Sequence, residues 1–192
     1  MVFNMFITAG RAGQVMFFAS LAVLIFQFFR ESQIKATIIS ILVIFAIGFA
    51  GYNYSPLFKN RIQQVSYDIA LLTTNPNTSI GHRIVFASNT LELVKASPFI
   101  GVGTGDFPAE YSKVNKKNTP AVKSTVQPHN MYLFIQAQLG LIGLISFLWI
   151  FYVQFKIAYS EKNQFIHHTG VALPFLFLII MLSDTYLLGH FT

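Results

Sequence analysis

Residues 131–155, MYLFIQAQLGLIGLISFLWIFYVQF, hold no charged side chain. A run this long and this apolar matches the ~20 residues a helix needs to cross the hydrocarbon core of a bilayer. Inside lipid every backbone polar group must be satisfied within its own segment, so the run must be a helix. Three more apolar runs come near that length: about Val15–Phe29, about Ala36–Gly51 and about Val171–Leu188, the last with Pro174 near its start. Charged residues make up only 10% of the chain, against about 25% in soluble domains. The expected fold is an all-α polytopic membrane protein with about four transmembrane helices.

The spans sort the chain into 1–51 with two helices, a large loop over 52–133, and 134–192 with two more. Arg30 and Lys35 sit on the first short connector, Lys156 and Lys162 on the second. Positive charge on short loops marks the cytoplasmic side, which sends both termini and the loop 52–133 outward. The loop is itself basic, but long loops cross largely regardless of charge. The net charge of +6 suits anionic headgroups or a diphosphate lipid, and no nucleic-acid partner is expected. Without cysteine the chain can form no disulfide, no thiolate metal site and no thiol nucleophile. MVFNMFITAGRAGQ lacks the basic-then-apolar order of a cleavable signal peptide. There is no internal repeat and no heptad pattern.

The loop has local order of its own. In SPLFKNRIQQVSYDIALL, Ser55 suits an N-cap and Pro56 the first helical position. Phe58, Ile62, Val65, Ile69 and Leu72 then recur at helical spacing, predicting a helix on the membrane surface or on the bundle. NPNTS breaks it, and Ser79 is the expected cap of a second helix, IGHRIVFASNTLELVKA. SPFIGVGTGDFPAEY follows as a glycine-rich turn, with Asp106 capping a short helix begun by Pro108. The basic stretch SKVNKKNTPAVKST is expected to be flexible.

Reactive groups gather on the outward side. In PHN, Pro128 suits the first turn of a helix and would place His129 in that turn. The positive end of a helix disfavours imidazolium, and a neutral imidazole can take a proton from a hydroxyl. Gln136 and Gly140 would lie below His129 on one helical face, forming a groove. The competing reading is an interfacial histidine, with Gly140 and Gly143 serving helix packing. Arg83 and Arg11 could each hold a phosphate through a planar fork, or simply be solvated or snorkelling. GVGTGD lacks the spacing of a nucleotide-binding fingerprint and reads as a tight turn or an anion-binding nest. Asp184, near the end of a span, needs a partner, for which His190 or a loop arginine is available. No DxD or HExxH is present, so neither a metal nor another cofactor is expected, and arginines must neutralise any diphosphate.

RIVFASNTLELVKASPFIGVGTGDFPAEY, PHNMYLFIQAQLGLIGL and SDTYLLGHFT together resemble the C-terminal half of the O-antigen ligase and polymerase superfamily. TAGRAGQ resembles that family's outward-facing arginine before an earlier helix. The resemblance implies a multi-pass protein of the bacterial inner membrane whose large loop is periplasmic. It implies a donor glycan on undecaprenyl diphosphate and a lipid A core acceptor, joined by a metal-independent, inverting transfer. His129 would be the base and Arg83, with Arg11, would hold the diphosphate. Asn130, Gln136, Gly140, Gly101, Gly103 and Gly105 are the accompanying substrate-binding candidates. SDTYLLGHFT leans toward the ligase branch. The family alternatives are an O-antigen polymerase and a protein-glycosylating ligase, and a rival of another class is a non-catalytic lipid-binding membrane subunit. Family members carry more spans than the four read here, so an incomplete membrane domain is expected, its N-terminal half supplied separately.

Overall fold

The computed structural model describes residues 11–72, 75 and 77–188. Among these the regular elements are seven α-helices and one 3-10 turn, with no strand. They are α1 (Arg11–Phe28), α2 (Gln33–Tyr54), α3 (Pro56–Ala70), α4 (Ser79–Ala96), α5 (Phe107–Asn118), α6 (Met131–Ser160) and α7 (Gln164–Ile180), then a 3-10 turn at Tyr186–Leu188. Among the described residues α2 and α6 are long and apolar enough to cross a membrane, while α1 and α7 are apolar but shorter. Many apolar side chains of α2 and of α6 beyond its buried start stay uncovered, as at Phe45 and Trp149, which is the surface expected of helices meant for lipid.

The chain divides into two compact units, one running up to Ser66 and adding Ile157–Ile180, the other Tyr67–Lys156 with the residues from Met181 onward. In the first unit α1 packs on both α2 and α7. Gln27 Nε2 donates to the His168 carbonyl at 2.8 Å, tying α1 to α7. Gly170 lets α7 come close to Ala158, where a Cβ would lie 2.9 Å from the alanine methyl.

In the second unit α4, α5 and the start of α6 close over a core of Phe86, Leu93, Phe107, Tyr111, Val122, Phe134 and Ala137. The first part of the stretch expected to be flexible is the helix α5, and the reason is tertiary. Asn89 on α4 donates to Thr119 Oγ1 at 2.7 Å and also lies 3.3 Å from both Tyr111 Oη and Asn115 Oδ1. Asn115 passes the chain of bonds on to the Val122 carbonyl at 2.8 Å. A buried polar network of this kind holds its members only while they are satisfied together. Burial raises the Tyr111 phenol above its ordinary value, with the Asn89 hydrogen bond opposing that rise.

The helix starts also differ in detail from expectation. Ser55 caps α3 as expected, its Oγ accepting from Phe58 N at 3.2 Å. α4 is capped by Thr78 rather than Ser79, through Gly81 N at 3.0 Å. Asp106 occupies the cap position of α5 but makes no side-chain cap bond. The last apolar run is not helical to Leu188. α7 ends at Ile180, and the chain turns so that the Met181 carbonyl accepts from Met131 N at 2.9 Å.

The largest departure is inside α6. Gly140 has φ +65° and ψ −164°, which breaks the helix in two. Pro98, Phe99, Gly101, Val102 and Gly103 fit into the break. Leu141 N donates to the Pro98 carbonyl at 2.8 Å, Val102 N to that of Ala137 at 2.8 Å and Gly103 N to that of Gln138 at 3.0 Å. The glycine-rich turn therefore satisfies backbone groups that the kink has freed. Both contributors must be glycine. A Cβ on Gly140 would lie 2.2 Å from the Phe99 carbonyl carbon, and one on Gly101 2.3 Å from that of Gln138.

Candidate functional site

The N-terminus of α4 and the residue two before α6 meet at a pocket of about 420 Å3, lined by Asn77, Thr78, Ser79, His82, Arg83, Phe86 and His129. α6 begins at Met131, so His129 is not in its first helical turn, as Pro128 had suggested. Asn130 takes the capping place instead, its Oδ1 accepting from Leu133 N at 3.0 Å and its Nδ2 donating to the Leu182 carbonyl at 3.2 Å. His129 stands just outside with φ +52°, the one non-glycine residue in that region among those described. Left-handed backbone at a histidine carries strain that persists only where the surroundings impose it, as commonly happens at working sites.

The surroundings do impose it. His129 Nδ1 lies 3.1 Å from Asp184 Oδ1, with the carboxylate side chain 17% exposed and the imidazole 32%. The same oxygen accepts from Thr185 N at 2.8 Å. Thr185, 1% exposed, is hydrogen bonded to the Gln127 side chain, so the turn after α7 clamps both ends of the segment before α6. The His129 ring lies against Phe86, with centroids 5.9 Å apart and planes at 23°. A carboxylate oxygen can only accept, so Nδ1 is the donor, and in the neutral form of the ring Nε2 presents a lone pair. Such a pairing fixes both the tautomer and the aim of the ring.

Arg83 is exposed on α4 and lines the same pocket. Among the described residues its guanidinium forms no ion pair, which leaves its fork available to an anion. His82, which sequence reasoning passed over, stacks on Phe86 at 5.7 Å and 15°, and its Nε2 lies 3.3 Å from Asn77 Oδ1. The signal for Phe86 was present, because it follows His82 by four residues on one helical face.

The other candidates lie elsewhere. Gly101 and Gly140 form the backbone junction at the kink, and the amides of Gly101 and Gly103 are spent on the Ser97 and Gln138 carbonyls. The break at Gly140 lies at the foot of the face expected to carry a groove from His129 downward, below Gln136. Gly103 and Gly105 have positive φ in the turn, and Gln136 is half-buried on the first segment of α6. Arg11 opens α1, its side chain lies beyond what the structure describes, and His190 is outside the described residues. Among the described residues Asp184 pairs with His129; the other expected partner, His190, lies outside them. Among the described residues no three His, Asp or Glu converge as metal ligands.

Fold and pocket together define a helical, membrane-associated protein with a histidine–carboxylate pair beside an arginine. Residues 1–148 match the family model described as O-antigen ligase, and the chain belongs to that family. The match takes in Arg83 and His129 and stops short of Asp184. A protein of Haemophilus influenzae, described as uncharacterized, is 30% identical over 147 residues, covering 73% of this chain and 36% of its own length. The chain thus spans little more than a third of that relative.

Proposed function

We propose that this chain carries the reacting centre of a lipid-linked glycan transferase, which joins O-antigen from undecaprenyl diphosphate to the lipid A core. The observation that carries the reading is His129 held through Nδ1 by Asp184 at 3.1 Å, in a pocket shared with Arg83. Nε2 of His129 takes the proton of the acceptor hydroxyl as its oxygen attacks the anomeric carbon. The bond from that carbon to the phosphate oxygen breaks, and the diphosphate leaves with the electron pair, inverting the centre. Arg83 neutralises the departing charge through its planar fork. Asn130 sets the backbone from which His129 projects, and the junction of Gly101, Gly103 and Gly140 braces that helix; Gly105 and Gln136 are retained as substrate-binding candidates. The acceptor distinguishes the ligase from a polymerase or a protein-glycosylating enzyme of the same family, and the closing segment SDTYLLGHFT favours the ligase.

Arg83→Lys should weaken use of the donor by about tenfold to a hundredfold, because an ammonium cannot supply two parallel hydrogen bonds. The assay is transfer from a purified lipid-linked donor by a complete protein carrying this segment. The same reaction should proceed in EDTA, since arginines rather than a metal meet the diphosphate. Activity lost to EDTA and restored by magnesium would count against this mechanism.

The pocket belongs on the periplasmic face of the inner membrane, with four spans and the short connectors at Arg30, Lys35, Lys156 and Lys162 inside. The chain has no cysteine, so Lys116→Cys and Glu161→Cys report cleanly. An impermeant thiol reagent on spheroplasts should label the first and spare the second. The opposite pattern would put His129 on the wrong side for a periplasmic acceptor.

A further inference from the structure

The first unit holds a site that the transfer chemistry does not use. Two cavities adjoin at the polar end of α1 and α7 and share Gln27, Arg30 and His168. One, of about 470 Å3, runs between the helices over Ala22, Phe26, Val171 and Phe175. The other, of about 590 Å3, opens at the helix ends beside Glu31, Lys35 and Gln164. The bond from Gln27 Nε2 to the His168 carbonyl, at 2.8 Å, holds the two helices together at their meeting point. An apolar slot thus ends in a cationic mouth.

The charges at that mouth are uncommitted. Arg30 and Lys35 are both exposed, and among the described residues neither takes part in an ion pair, whereas Lys95 and Lys113 are bound to Glu92 and Glu110. Glu31 offsets one of the two cations, and His167 and His168 add imidazoles beside Arg30. His167 is itself anchored, Nδ1 to the Ala158 carbonyl at 2.8 Å.

We propose that this site holds an anionic glycerophospholipid, its phosphate on Arg30 and Lys35 and one acyl chain in the slot between α1 and α7. A free phosphate would use the cations and leave the apolar slot wet. A zwitterionic lipid would fill the slot but bring its own cation up against Arg30 and Lys35. An anionic lipid satisfies both, and basic residues at a headgroup surface attract such lipids individually. The proposal needs only that α1 and α7 lie in a membrane, so it stands apart from the reading of His129.

The test is native mass spectrometry of the purified chain in mild detergent, with added phosphatidylglycerol or phosphatidylcholine of matched acyl chains. One phosphatidylglycerol should be retained in preference, and millimolar inorganic phosphate should not displace it. Arg30→Gln and Lys35→Gln, both at exposed side chains, should each weaken retention by about fivefold or more. Ala22→Phe should block the slot while every charge remains, and Lys123→Gln, in the other unit, should change nothing. Equal retention of the two lipids, unchanged retention in both Arg30→Gln and Lys35→Gln, or displacement by phosphate would each overturn the proposal.

Discussion

His129→Ala is expected to slow glycan transfer by about 10²–10⁴-fold while leaving donor binding nearly unchanged. In the proposed reaction the diphosphate is met by arginine and the lipid by apolar helices, and His129 supplies neither contact. Its whole contribution is a lone pair on Nε2, aimed because Nδ1 is held 3.1 Å from Asp184. Asp184→Asn should therefore follow the same pattern with a smaller loss, about tenfold to a hundredfold, since an amide can bond to either tautomer of the ring. Asn130→Ala should cost stability before rate, because its side chain caps α6. Steady-state transfer to lipid A core by a complete protein carrying this segment separates these effects. His129→Ala and Asp184→Asn should each show a lower kcat at an unchanged KM for the donor. Normal transfer by His129→Ala at equal membrane abundance would end its assignment as the base.

Gly140→Ala should destabilise the second unit by about 3–5 kcal/mol, more than most single substitutions cost. Two effects combine. The backbone at φ +65° is unfavourable for any residue with a Cβ, and that Cβ would lie 2.2 Å from the Phe99 carbonyl carbon. Neither partner is a flexible side chain that can step aside, because backbone meets backbone at this junction. Gly101→Ala should behave alike, as its Cβ would meet the Gln138 backbone at 2.3 Å. Gly48→Ala is the control: nothing lies within 4 Å of its Cβ position, and alanine is the better helix former. Limited proteolysis in detergent and denaturant unfolding should rank Gly140→Ala and Gly101→Ala well below wild type and Gly48→Ala beside it. A Gly140→Ala protein of wild-type stability would mean that the turn and helix do not interlock.

Local signals were read correctly where the cause is local. Ser55 and Pro56 start α3 because a cap and a ring-fixed φ act on their own neighbours. The helix over Ile80–Ala96 is legible from the break at NPNTS and a nearby cap, and the uncharged run after Asn130 could only be a helix in lipid. Errors fell where a distant partner intervenes. α5 looked too basic and polar to order itself, yet Asn89, 26 positions before Asn115, binds it into the core. Pro128 promised a helix start that the Met181 carbonyl, by engaging Met131 N, sets three residues later.

By itself the sequence determined that the chain is helical, apolar enough for a membrane, free of thiols, and equipped with a histidine and an arginine on one loop. Composition, period and capping decide those features, and each acts over a few residues. Only the tertiary structure decided that Asp184, 55 residues from His129, is the carboxylate that holds its ring. It alone showed that the glycine-rich turn plugs the break at Gly140 and that Arg83 and His129 line one pocket. The physical reason is the range of the forces involved. A hydrogen bond or a close backbone contact needs two groups within a few ångströms, and which distant residues come that close is decided by packing the whole unit.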